Sequence, residues 1–593
     1  MSLESGHGKR CGRWCALAAA LAVSVPSWMA ASISFSEAHT PSAPARDTSS
    51  IKPVIPTADR YQAGKVFLEH ADVWSYTEQP DLPPQEQYQV LTGNVAFRKS
   101  DMYMYCDSAH FYEQSSNFDA YGNVRMEQGD TLFVYGDVLE YDDSTSIATL
   151  YGEGGRQVKL INRDVTLTTD VFYYDIAENV GYYDAYGVLS DSKNRLSSVQ
   201  GEYYPDTKYA YFSRAVKLTS PNNNDTLQLT TDSLVYNTAT HIAELVAPTL
   251  ITSADGDIHS SSGVYNTETG LADLYKRSTV VTRRGNTLTG DTLFYDRDRG
   301  VGKAFGNMLL TDSARQSSIS GDYGFYNDNA DSAFVTGHAL VKEYSRPDTL
   351  YMHGDTVYAY MEPDSTRITN IYHRVRFYRR DVQGICDSLS ASDRDSLLKM
   401  FRHPVVWSDN RQVFGNLIHV HLNDSTVDWA RLPNFGFMAE HIDEDCYQQM
   451  SGKDMTVWFN DSTVRRLYVE GNVQLIMFPM ESDSTYNKYS YVESSEMDAY
   501  FADNDVESVH FRPATTAKVV PLYLAKKNSY FLPKFSWYDP IRPRSPEDVF
   551  LIPLEMEELM RSAPPAPEME EKKTVKRKLL APKPEEEGSG SNQ

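Results

Sequence analysis

The chain has 593 residues, 81 of them acidic and 56 basic, giving a net charge of −25 and a pI near 5.0. That balance excludes a nucleic-acid backbone as partner and argues against broad adhesion to an anionic membrane, since both would be repelled. Five cysteines, scattered and without a C-x-x-C spacing, exclude a disulfide framework and a structural zinc site.

The N-terminus reads as a secretory signal over residues 1–32. Lys9, Arg10 and Arg13 form its basic region, Trp14 to Val25 its apolar region, and the small residues around Ala30 a cleavage site. Export leaves Cys106, Cys386 and Cys446, an odd and widely separated set. Residues 33–59 are rich in Ser, Pro and Ala and read as a linker.

From about residue 60 a unit of roughly thirty residues recurs, which predicts a repeat array. The clearest copies are LFVYGDVLEYD (Leu132 to Asp142), VTLTTDVFYYD (Val165 to Asp175), LQLTTDSLVYN (Leu227 to Asn237) and NTLTGDTLFYD (Asn286 to Asp296). Counting from each aspartate, apolar residues favour −5 and −3, then +2 and +4. Alternation of this kind, in Val, Leu, Phe, Tyr and Thr, predicts a strand with one buried face. The odd-to-even change at the aspartate would turn the second half of the strand outward. A bend at that step restores the facing, so each strand is expected to pass through one sheet, turn a corner and enter a second. A second strand type follows, as in Ala120-Tyr121-Gly122-Asn123-Val124 and Ala304-Phe305-Gly306-Asn307-Met308. The predicted fold is all-β: an elongated open β-jellyroll or solenoid of about fourteen two-strand repeats, with disordered termini.

Three segments are expected within the array, at 60–250, 251–420 and a less regular 421–521. The stretch 390–403 carries a short helical pattern. Beyond the array, residues 522–593 are expected to form an extended, disordered, charged tail, on the strength of blocks such as Glu585-Glu586-Glu587. The chain shows no G-x-S-x-G, H-E-x-x-H or phosphate-loop motif, so an enzyme is not expected. His419 and His421 share one face of a predicted strand, but a third ligand at suitable spacing is missing, and neither a metal nor a cofactor is expected.

The second strands resemble the OstA-like (organic solvent tolerance) family, which includes LptA-like lipopolysaccharide-transport proteins. Leu91-Thr92-Gly93-Asn94-Val95, Tyr121-Gly122-Asn123-Val124, Phe305-Gly306-Asn307-Met308 and Glu470-Gly471-Asn472-Val473 carry the resemblance. It implies a β-jellyroll open along one side, in the periplasm of a Gram-negative bacterium, passing lipopolysaccharide or another acylated lipid toward the outer membrane. Partners at its ends would be other jellyroll proteins of the same transport system. The groove would be lined by the inward-facing set: Leu132, Val134, Leu139, Tyr141, Val165, Leu167, Phe172, Tyr174, Leu227, Leu229, Leu234, Tyr236, Leu288, Leu293 and Tyr295. The competing expectation is a structural or adhesive cell-surface β-solenoid whose core is filled by these side chains.

Overall fold

A computed structural model describes residues 65–562, apart from 77–82, 84–86, 223–224, 424–425, 444, 461–462, 482–484 and 503–504. The expected signal, the linker and the last part of the expected tail (563–593) lie outside the described residues. The chain divides into two compact units. One holds the residues up to Tyr372 together with Ser390–Ser396, and the other holds His373–Leu389 and the residues from Leu397 onward.

The first unit is all-β, antiparallel and jellyroll-like. Strand Leu132–Asp142 shows the plan. Along one side it pairs over its whole length with Asn117–Gln128. On the other side its first half pairs with Val158–Asn162 and its second half with Ile147–Tyr151. Each long strand thus contributes to two layers. The upper layer continues through Val165–Thr169, Gly187–Ser190 and Arg195–Ser198 into the second half of Tyr209–Asn222. The lower layer runs through Val171–Asp175, Val180–Tyr183 and Gln200–Tyr203 into the first half of that same strand.

The corner between the layers has a repeated backbone cause. Gly93 and Asn94 have φ +80° and +46°, Gly122 and Asn123 +78° and +43°, Gly306 and Asn307 +69° and +44°. Two consecutive left-handed residues turn the strand. Glycine takes that conformation without a Cβ clash, and asparagine tolerates it. Gly122 and Asn123 stand opposite the single residue Asp137, because Tyr121 pairs with Val138 and Val124 with Gly136. The two-against-one bulge gives the sequence pattern its meaning. On the aspartate strand the buried set shifts parity, from Leu132 and Val134 to Leu139 and Tyr141. On the Gly-Asn strand Phe118, Ala120, Val124 and Met126 are buried in unbroken phase.

Two expectations are corrected. Residues 390–403 are not helical. Strands Val382–Ser392 and Leu397–Phe401 flank a turn there, and Ser396 has φ +48°, which a right-handed helix does not accommodate. The second correction concerns the tail, which is not extended from residue 522. Residues 522–562 form short 3₁₀ turns and the helix Leu554–Arg561, packed on the second unit. The reason is composition: Tyr530, Leu532, Phe535, Trp537, Tyr538 and Ile541 give this stretch enough apolar surface to dock.

In the second unit this segment covers one sheet face. Val405, Trp407, Phe414, Phe437 and Ala439 lie beneath it. Three polar side chains of the unit also bind its backbone. Gln412 accepts from Tyr538 N at 2.9 Å and donates to Ser536 O. Gln449 accepts from Leu532 N at 2.8 Å and donates to Tyr530 O at 2.6 Å. Arg376, fully buried, donates to Ile541 O at 3.0 Å and Asp548 O at 3.2 Å. Burial pulls the Arg376 guanidinium down to about 10. The opposite face carries Val406, Val413 and Met438 in cross-strand register, and these stay half-buried.

Candidate functional site

All fifteen sequence-predicted trough residues point into the first unit. Leu132, Val134, Leu139 and Tyr141 are no more than 2% exposed, as are Val165, Leu167, Phe172, Tyr174, Leu227, Leu229, Leu234, Tyr236, Leu288 and Leu293; Tyr295 is 5% exposed. Cross-strand register brings them together in rows. Val134 faces Leu160, which in turn faces Leu167, and Leu167 faces Leu189. In the lower layer Leu139 faces Leu150, and Leu150 faces Phe172. Close packing extends to the glycines between them. A Cβ on Gly181 would lie 2.3 Å from Phe172 Cζ, and one on Gly201 would lie 2.5 Å from the Tyr183 hydroxyl.

The corner line is polar on its outside. Asn94, Asn123 and Asn307 donate to Asp72, Asp107 and Asp291 at 2.9, 2.7 and 2.6 Å. These acids, which the sequence marks as the start of each count, hold the bend. Among the described residues no group of three or more His, Cys, Asp or Glu is placed to hold a metal ion. His421 stacks on Trp429 with ring centroids 5.3 Å apart and bonds Asp428 at 3.1 Å. His419 is held below the usual imidazole range, chiefly by burial. Cys106 sits just before the corner acid Asp107, and burial pushes its thiol up to about 12, leaving it protonated and unreactive.

Opposite the corners, the free margins of the two layers meet through polar groups that sequence reasoning missed. Lys99 of the upper margin bonds Asp143 of the lower at 2.7 Å. Asn162 reaches the Tyr203 hydroxyl at 3.2 Å, and Asn194 reaches that of Tyr236 at 2.7 Å. Asn286 reaches the Tyr326 hydroxyl at 3.0 Å. Burial raises the phenols of Tyr141, Tyr236 and Tyr326, and lifts Tyr203 to about 12. For Lys99 burial pulls downward, but the bonds to Asp143 and Tyr141 outweigh it and its ammonium titrates higher than usual. The available signal was the recurrence of tyrosine at +4, which reads as core when only its ring is considered.

Residues 63–226 match the family model of an OstA-like protein. The chain carries an OstA-like domain. Residues 183–283 match a second model, described as lipopolysaccharide-assembly, LptC-related. Together the two matches span most of the first unit's regular strands. Among solved structures, LptH of Pseudomonas aeruginosa, described as the LptA homologous periplasmic component of its lipopolysaccharide transport device, aligns at 11% identity with a TM-score of 0.15. That alignment covers 18% of this chain and 74% of LptH. No curated protein matches the chain. Among the described residues no helix is long and apolar enough to cross a membrane.

Proposed function

We propose that the first unit is a lipid carrier of the periplasm, which takes the acyl chains of lipopolysaccharide between its two layers and passes them toward the outer membrane. The observation that carries this reading is a coincidence of position. The OstA-like and lipopolysaccharide-assembly matches fall on the strands whose inward faces form continuous apolar rows. Acyl chains moving along such rows avoid re-exposure to water, worth about 0.8 kcal/mol per methylene. Other jellyroll proteins of lipopolysaccharide transport are the partners this reading implies, and no catalytic step is required of the chain.

A photo-reactive residue at Val134 or Leu229 tests it. Crosslinking in intact cells should trap lipopolysaccharide on the protein, and unmodified protein at every inward position would overturn the reading. The near-complete burial of the fifteen side chains favours a second reading, a structural β-solenoid with a filled core. Protease accessibility on intact cells separates the two, because an adhesive solenoid has to be reachable from outside.

A further inference from the structure

In the first unit a tyrosine four residues beyond the corner position recurs on the lower layer, with its ring inside and its hydroxyl at the free margin. Tyr141, Tyr203, Tyr236 and Tyr326 are each no more than 2% exposed. Opposite each stands one polar residue of the upper margin. Lys99 lies over the Tyr141 ring, its Nζ 5.7 Å from the centroid, and bonds the neighbouring Asp143. Asn162, Asn194 and Asn286 donate to the other three hydroxyls. Further bonds reinforce two of these bridges: Tyr236 donates to Asp191 at 2.6 Å, and Asn162 also reaches Pro205 O at 3.3 Å.

The polar row sits where the fold does not require it. Backbone pairing joins neighbouring strands within each layer, whereas at these four places the margins are bridged by side chains. The row is also incompletely bonded. Asn162 and Asn194 are 2% and 3% exposed, yet the Oδ1 of each has no hydrogen-bond partner among the described residues. A buried acceptor without a donor disfavours the closed arrangement relative to one in which water reaches it.

We propose that these four tyrosines are the bolts of a lateral gate, and that lipid enters the first unit sideways by parting the margins at Lys99, Asn162, Asn194 and Asn286. The inference rests on the lipid-carrier reading for its cargo, and on the margin geometry alone for the gate. Opening exchanges side-chain bonds across the margin for bonds to water, while the acyl chain takes over the apolar packing inside.

The test uses the full chain and the double variant Tyr203→Phe with Tyr236→Phe, which keeps both rings and removes only the hydroxyls. Tyr151→Phe is the control, because its hydroxyl bonds Glu140 at 3.0 Å within the lower layer. Uptake of a fluorescent long-chain fatty acid, and separately of lipopolysaccharide, is followed by stopped-flow fluorescence. The double variant should load about tenfold faster, the shift in an opening equilibrium expected on losing hydrogen bonds of ordinary strength, with the control unchanged. Equal loading rates in all three proteins would overturn the gate. Amide hydrogen exchange without lipid gives a second readout. Exchange in Val158–Asn162 and Arg195–Ser198 should quicken in the double variant alone. If the wild-type protein takes up neither probe, the carrier reading falls, and the exchange data decide the gate: faster exchange at the margins keeps it, and unchanged exchange removes it.

Discussion

Asn123 donates its side-chain amide to Asp107 Oδ2 at 2.7 Å, across the corner at which Gly122 and Asn123 both have positive φ. The bond fixes the bend from outside while Val124 resumes the buried face. A Cβ on Gly122 would meet Asp107 Oδ2 at 2.6 Å, in a conformation that side chains resist. Gly122→Val should destabilise the first unit by about 1–3 kcal/mol, measured by denaturant unfolding. A loss within error would show that the corner does not need glycine.

Core truncation gives a second expectation. Leu167 is 1% exposed and lies between Leu160 and Leu189 in register. Leu167→Ala should cost about 2–5 kcal/mol if the row is close-packed. Added lipid should restore part of that loss if an acyl chain fills the vacated space. Thermal melts with and without lipid distinguish these outcomes.

A third concerns the segment folded over the second unit. Gln412 is fully buried, and its amide serves Tyr538 N and Ser536 O. Gln412→Ala strands both backbone groups, at about 1–3 kcal/mol. Limited proteolysis should then cut within residues 530–545 at lower protease concentrations, while cleavage in the first unit stays the same.

The alkaline limit of the first unit follows from its phenols. Tyr203 is pushed up to about 12, mainly by burial, against about 10 for an unfolded tyrosine. Its folded pKa is raised, so its contribution to stability is complete below the unfolded value and fades as pH climbs through the folded one. Lys99, also raised, acts in the same direction. Tyrosinate absorbance should therefore show Tyr203 and its buried neighbours ionising only as the unit opens.

Much of the first unit was legible because its strands bury one face and wet the other. Leu132 to Tyr141 shows the alternation, and the Gly-Asn pairs announce the bend. Register was less legible where the corner acid is absent. At three corners the residue whose backbone N–H bonds across the bend is Val199, Lys453 or Ser495, so a count from aspartates passes over them. The second unit loses alternation for a physical reason. Its sheet is apolar on both faces: Trp407, Phe414 and Phe437 lie under the chain's own later segment, and Val406, Val413 and Met438 stand on the other side. The margin bonds were hidden because Lys99 and Asp143, or Asn194 and Tyr236, are joined only by the closure of two layers.

The hairpin order of the first unit has a consequence for how it is made. Strands such as Leu132–Asp142 and Val165–Thr169 pair with an immediate predecessor or with one a few elements away. Such short loops close early and cheaply, so each hairpin can add to a finished edge as it emerges. Growth from the amino end then needs no partner that has yet to be synthesised. The second unit differs: its outer face stays bare until residues 530–560 arrive, which makes its completion the last event of folding and its unfinished form the one most prone to aggregate.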